Sequence, residues 1–173
     1  VGWWYYCDSS DATISHNYIT LNETHNWRGG GIYCRYSHNI NISKNTIKWN
    51  KSGEGGGIYL DYCDNPVVSS NTISGNSASY AHGGGVGFHH SGGTCSDNVV
   101  LFNVAERYAN GAGISCNHSS PLIEGNIISG NICDNWWGGG IECNNASPII
   151  TGNVITENNA NNGGAISCYS YSG

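Results

Sequence analysis

The chain of 173 residues holds no methionine, three prolines, two phenylalanines and only six lysines and arginines combined. These shortages exclude whole classes of protein. With a net charge of −6 there is no basic surface to track phosphates, so nucleic acid is not an expected partner. No apolar run approaches the roughly 20 residues that cross a bilayer, so no membrane span is expected. The sequence has no signal-peptide pattern, as a processed mature protein or a segment of a longer one would not. Helix-favouring composition is missing too. Twenty-six glycines and abundant asparagine weaken helix interiors, one through backbone entropy and the other through local hydrogen bonds. Yet 38% hydrophobic residues is too apolar for disorder. The material is all-β with many turns, and its length fits a single domain over 1–173.

What is present is a repeat. A glycine-rich phrase recurs as "GGGIYC" (29–34), "GGGIYL" (55–60), "GGGVGF" (83–88), "GAGISC" (111–116), "GGGIEC" (138–143) and "GGAISC" (163–168), with "GWWYYC" (2–7) ahead of them. Its reference residue is Tyr5, Ile32, Ile58, Val86, Ile114, Ile141 and Ile166, a period of 25 to 28 residues. A fixed period of this size signals stacked repeats. A second phrase lies inside each repeat, I-x-x-N-x-[IV]-x-x-N. Its asparagines are Asn17, Asn45, Asn71, Asn98, Asn126 and Asn153, then Asn22, Asn50, Asn76, Asn103, Asn131 and Asn158. Twelve positions out of twelve exceed anything composition alone would produce.

The spacing predicts about six coils, each with three short strands separated by bends, every strand pairing with its equivalent one coil on. At about 4.8 Å per coil the rod is about 29 Å long. Residues two apart share a face, so Ile32 and Cys34 point inward together. An asparagine at a bend accepts the left-handed conformation, and its amide bonds the copies above and below. The glycine triplet permits a corner where a Cβ would meet neighbouring backbone.

At these residues the sequence resembles the right-handed parallel β-helix repeat proteins of the pectin-lyase-like superfamily. The literal "GGAI" at 163–166, with repeated I-x-x-N, is similar to the repeats of chlamydial polymorphic outer-membrane proteins, with isoleucine or valine at their phenylalanine position. The resemblance covers nearly the whole chain and implies a right-handed parallel β-helix. It does not fix function, because the superfamily includes lyases, hydrolases, epimerases, adhesins and surface fibres. The lyases of that superfamily carry a calcium-binding acidic cluster with an arginine base, and the hydrolases closely spaced aspartates with G-H-G and R-I-K phrases. Neither pattern occurs here. Asp61 and Asp64 are the nearest approach to paired carboxylates. No catalytic residue, cofactor or metal is therefore expected.

Five of eight cysteines occupy one inward column, Cys7, Cys34, Cys116, Cys143 and Cys168, where Leu60 and Phe88 also stand. The column reads first as small apolar core. Stacked strands also bring Cα atoms within disulfide range, with Cys7–Cys34 and Cys116–Cys143 as the candidate bridges. Absence of C-x-x-C spacing argues against structural zinc. Among the glycosylation sequons, Asn22 and Asn50 belong to the ladders, whereas Asn41, Asn117 and Asn145 are expected on the outer surface. The outward column Asp8, Arg35, Asp61, His89, Asn117, Asn144 and Tyr169 reads as alternating charges on a solvated face. His90 over His118 offers two imidazoles without a third ligand.

Aromatic residues gather ahead of the glycine corner: Trp3, Trp4, Trp27, Tyr80, Tyr108, Trp136 and Trp137. Of these, Trp27, Tyr108, Trp136 and Trp137 are the candidate contacts for a glycan or a host or neighbouring surface. The sequence starts and stops on a strand without a capping helix, so the expectation is a segment of a longer helix or a subunit that self-associates through open ends. Taken with the missing catalytic patterns, this predicts an extracellular or cell-surface structural β-helix, filamentous or adhesive. Carbohydrate binding or degradation is the alternative.

Overall fold

The computed structural model describes residues 5–25 and 28–170. Within them every regular element is a β-strand, and the strands stack into four parallel sheets of seven, six, six and five strands. One coil shows the path. Ile32–Arg35 lies in the first wall, Asn41–Ser43 in the second, Thr46–Lys48 in the third and Lys51–Ser52 in the fourth. The chain then re-enters the first wall one level up at Ile58–Asp61. Pairing is in register: Ile32 against Ile58, Ile42 against Val68, Ile47 against Ile73. Six coils follow one another, and Ile166–Tyr169 adds a seventh first-wall strand.

The fourth wall was not expected from three strands per coil. Its inward residues are Ser52, Ala78, Ala105 and Cys133, the last three in a small cluster with Ala109 and Ala112. Strands of two residues with small side chains carry too little apolar periodicity to stand out in the sequence. The other three walls enclose the main core. Its columns are the predicted ones: Ile14, Ile42, Val68, Cys95 and Ile123 from the second wall, and Ile19, Ile47, Ile73, Val100 and Ile128 from the third. Leu60 and Phe88 take their places between the first-wall cysteines.

Both asparagine files form as ladders. Asn71 Nδ2 donates to the Ile42 carbonyl in the coil below at 2.8 Å and to Asn98 Oδ1 above at 3.0 Å. Its own Oδ1 accepts the Asn45 backbone N–H at 2.9 Å and Asn45 Nδ2 at 3.1 Å. The left-handed residue at each bend is not the asparagine, as anticipated, but the residue before it. His16, Lys44, Ser70 and Asp97 have φ of 55 to 59° ahead of the first file, and Leu21, Trp49 and Phe102 have φ of 53 to 59° ahead of the second. The turn is made one position early, which leaves the asparagine side chain facing inward to bond main chain. The glycine corner does require glycine. A Cβ on Gly56 would lie 2.5 Å from the Ser77 carbonyl oxygen and 2.6 Å from that of Gly84.

Replacing Asn71 with Ala leaves the Asn45 N–H unpaired inside the rod and takes the side-chain donor from the Ile42 carbonyl, which keeps its ladder bond. At about 1–3 kcal/mol for the stranded N–H and about 1 kcal/mol for the lost bond, stability falls by about 2–4 kcal/mol. Chemical denaturation should show that loss, while Ser74→Ala, outward on the same coil, stays within about 0.5 kcal/mol of wild type.

Candidate functional site

The inward positions are committed to packing, so any site lies on the outer faces and corners. On the first wall the outward residues fall in two columns. The anticipated one contains Asp8, Arg35, Asp61, His89 and Asn117. Two residues nearer the glycine corner runs another: Tyr6, Tyr33, Tyr59, Gly87, Ser115, Glu142 and Ser167. Sequence reasoning passed over this second column, although three successive tyrosines were readable once the repeats were aligned.

These columns hold two buried carboxylates, each fully engaged. Asp61 is 2% exposed. Its Oδ2 receives Arg28 Nη1 at 2.6 Å and its Oδ1 lies 2.6 Å from His89 Nδ1. Arg28, from the strip of chain before the glycine corner, also holds Glu54 through Nε at 2.7 Å. Burial pushes the Asp61 carboxyl up, but the His89 hydrogen bond and the Arg28 charge outweigh it and hold it below the ordinary carboxylate value. Glu142 is 0% exposed. It accepts hydroxyls from Ser115, at 2.5 Å, and from Tyr169, with His82 Nδ1 3.6 Å away. The expected alternation Asp8–Arg35–Asp61 forms only in its lower half: Arg35 Nη2 turns to Asp8 at 2.8 Å, because Arg28 and His89 already occupy Asp61.

The network ties the pre-corner strip to the wall through Arg28 and Glu54, and that strip carries the aromatic residues. Tyr80, Tyr108 and Trp136 stand on three successive coils and are exposed. Arg107, Tyr108, Asn135 and Trp136 line an open cleft of ≈ 540 Å³. Arg107 also lines a neighbouring polar cleft that includes Lys51, Ser79, Tyr80 and Glu106. A bulge shapes the first of these. In the fourth wall Cys133 pairs with Ala160 but Trp137 with Asn162, so the residues between Cys133 and Trp137 are thrown outward. Trp136 is then fixed by its Nε1, which donates to the Arg107 carbonyl at 2.9 Å.

Of the four aromatic candidates, the structure thus brings Tyr108 and Trp136 together. Trp137 instead packs edge-on against Tyr169, ring centroids 3.9 Å apart. Trp27 lies outside the described residues, as do Trp3 and Trp4.

Among the sequon asparagines, Asn41 is exposed, Asn145 is half-buried and Asn50 is buried in its ladder. Asn117 departs from the expected outer position. It is 6% exposed, because its in-register neighbours His89 and Asn144 close over it from both sides. The anticipated bridges do not form either. Cys7 faces Cys34 and Cys116 faces Cys143 in register, but all eight cysteines are free thiols. In-register parallel strands hold equivalent Cβ atoms about one strand spacing apart, 4.8 Å, wider than the roughly 3.5–4.5 Å of a disulfide. Burial pushes the Cys95 thiol up to about 12, as expected of core packing, whereas a hydrogen bond from Cys34 lowers Cys7. Among the described residues no three His, Cys, Asp or Glu groups converge as a metal site would need.

Asp61→Asn removes the charge that Arg28 and His89 share. At neutral pH it should cost about 3 kcal/mol, typical of breaking a buried pair. Because the folded carboxyl titrates below its unfolded value near 3.9, this stabilisation is complete above about pH 5 and disappears as pH falls through the folded value. Denaturation midpoints of wild type and variant should therefore converge as pH falls through the folded value.

Comparison with known proteins agrees with this architecture. Searches of curated proteins and of solved structures return no match, but a family model for the right handed beta helix region matches residues 2–126. With that match over most of the chain, and parallel coils stacked along its length, the protein belongs to the right-handed β-helix family.

Proposed function

We propose that the chain is an extracellular or cell-surface structural β-helix whose working part is an adhesive strip on a rigid rod. The observation that carries this reading is the cleft of Arg107, Tyr108, Asn135 and Trp136. Tyr108 is 67% exposed and Trp136 40%, a combination of aromatic faces with planar polar groups suited to sugar rings and their hydroxyls. Trp136 is pinned by its hydrogen bond to Arg107, so little side-chain freedom is lost when a ligand arrives. The exposed Asn41 and half-buried Asn145 remain the candidate glycosylation sites on this rod. The reading gives the chain no chemistry of its own. Asp61 and Glu142, the buried carboxylates of the first wall, already have their donors, and three coils, about 14 Å, separate them. A carboxylate pair for glycoside hydrolysis spans about 5–9.5 Å.

A glycan array followed by calorimetry on the strongest ligand tests the cleft. Binding should weaken about tenfold or more in Trp136→Ala and in Tyr108→Ala, a loss of at least about 1.4 kcal/mol. Undiminished binding in both variants refutes the assignment. Release of unsaturated sugars from the same polysaccharides would instead make the chain a lyase.

A second reading, filaments built by end-to-end stacking, is favoured by the polarity of the ladders. Each coil directs asparagine Nδ2 and backbone N–H groups to the next coil and receives the same groups on its Oδ1 atoms from the one before. Any upper coil face therefore complements any lower one, whether the two belong to one chain or to two. Sedimentation velocity should show mass growing with concentration. A single sharp monomer boundary at high concentration contradicts this reading.

A further inference from the structure

At the corner between the first and second walls, four rings from successive coils are stacked along the rod. Tyr36 and Tyr62 lie 5.5 Å apart, Tyr62 and His90 4.6 Å, and His90 and His118 4.8 Å. The two imidazoles are parallel to within 1°. The backbone explains the alignment. Both histidines are left-handed, with φ of 45° and 48°, and they follow the in-register residues His89 and Asn117, so their side chains leave the rod in the same direction.

Both rings are exposed, and neither has a hydrogen-bond partner among the described residues. Nearby His89 contrasts with them, because its Nδ1 is committed to Asp61. His90 and His118 therefore present adjacent imidazole rings with unclaimed nitrogens on the surface.

We propose that the His90–His118 step is a two-imidazole clip for a borderline divalent metal ion such as Cu²⁺, Ni²⁺ or Zn²⁺. Nitrogens bound at about 2.0–2.1 Å to one ion are at most about 4 Å apart. The stacked rings stand 4.8 Å apart with parallel planes, and an imidazole binds a metal in its own ring plane, so closing the clip takes rotation of both exposed rings out of the stack about their side-chain torsions and no backbone movement. Imidazole nitrogen favours these ions over Ca²⁺ and Mg²⁺, which prefer oxygen. With two protein donors, water completes the coordination shell, and the open positions on the solvent side can take a donor from another molecule.

The test titrates the chain separately with Cu²⁺, Ni²⁺, Zn²⁺ and Ca²⁺ by calorimetry, and follows the histidine ring resonances by NMR. One transition-metal ion per chain should bind, with His90 and His118 shifting together and Ca²⁺ silent. His90→Asn and His118→Asn keep a residue that tolerates the left-handed backbone. Each should lose at least the roughly 10–100-fold in affinity that follows removal of a group one shell further from a metal. His16→Asn, at another left-handed corner, should leave affinity unchanged. Binding that survives both variants, or wild-type spectra in which His25 or His38 shifts instead, overturns the proposal; the wild-type spectra decide it even where a variant fails to fold.

Discussion

Register is the constraint on which the molecule depends, and the buried asparagine amide enforces it. A coil of 25 to 28 residues with short strands could slide against its neighbour, because isoleucine over isoleucine is an undemanding match. An amide is demanding. Each ladder asparagine must find a carbonyl below and an amide oxygen above, and it receives a backbone N–H in return. Inside the rod there is no water to substitute, so a slip would strand several polar groups at once. Two such files, one at each end of the third wall, fix both the level and the rotation of every coil.

From that fixed register the rest of the surface follows. Equivalent residues of successive coils are forced into files about 4.8 Å apart, so a file of one residue type becomes a continuous strip. Tyr36, Tyr62, His90 and His118 form such a strip at one corner. Where a bulky residue occupies a corner, the next coil accommodates it: Phe102 lies over Gly130, where a Cβ would meet its ring at 2.5 Å. The polar network of Arg28, Asp61, His89 and Glu142 plays a different part. It braces the pre-corner strip against the wall at Arg28 and Glu54, while Trp136 is held by its own bond to the Arg107 carbonyl.

The fold was legible because its determinants are inward and repeat. Ile32, Ile42 and Ile47 each stand in a column of apolar residues with asparagine at fixed offsets, and all three columns pair as the spacing required. The fourth wall was not legible, since Ser52, Ala78 and Ala105 are too small and its strands too short to leave a periodic trace. The site was read only in part. Tyr108 and Trp136 were recognisable as aromatics ahead of a corner. That Trp136 would be thrown outward by a bulge while Trp137 folded against Tyr169 depends on setting three residues, 134–136, against one, Asn161, which periodicity does not encode. Asn117 was misplaced for a related reason. Strand alternation gives the direction of a side chain, whereas its exposure is set by the neighbours one coil away, here His89 and Asn144.

This division also underlies the proposed function. Inward columns can exchange isoleucine for valine or cysteine, as Val68 and Cys95 show, and cysteine for leucine or phenylalanine, as Leu60 and Phe88 show, because the core asks only for apolar volume. Outward positions carry no such requirement, and there the coils differ most from one another. A stripe of charged, aromatic and imidazole groups confined to a few coils is therefore not a by-product of the repeat, which would have spread it along the whole rod. Position-specific chemistry on a position-independent frame is the ground on which the proposed contact surfaces rest.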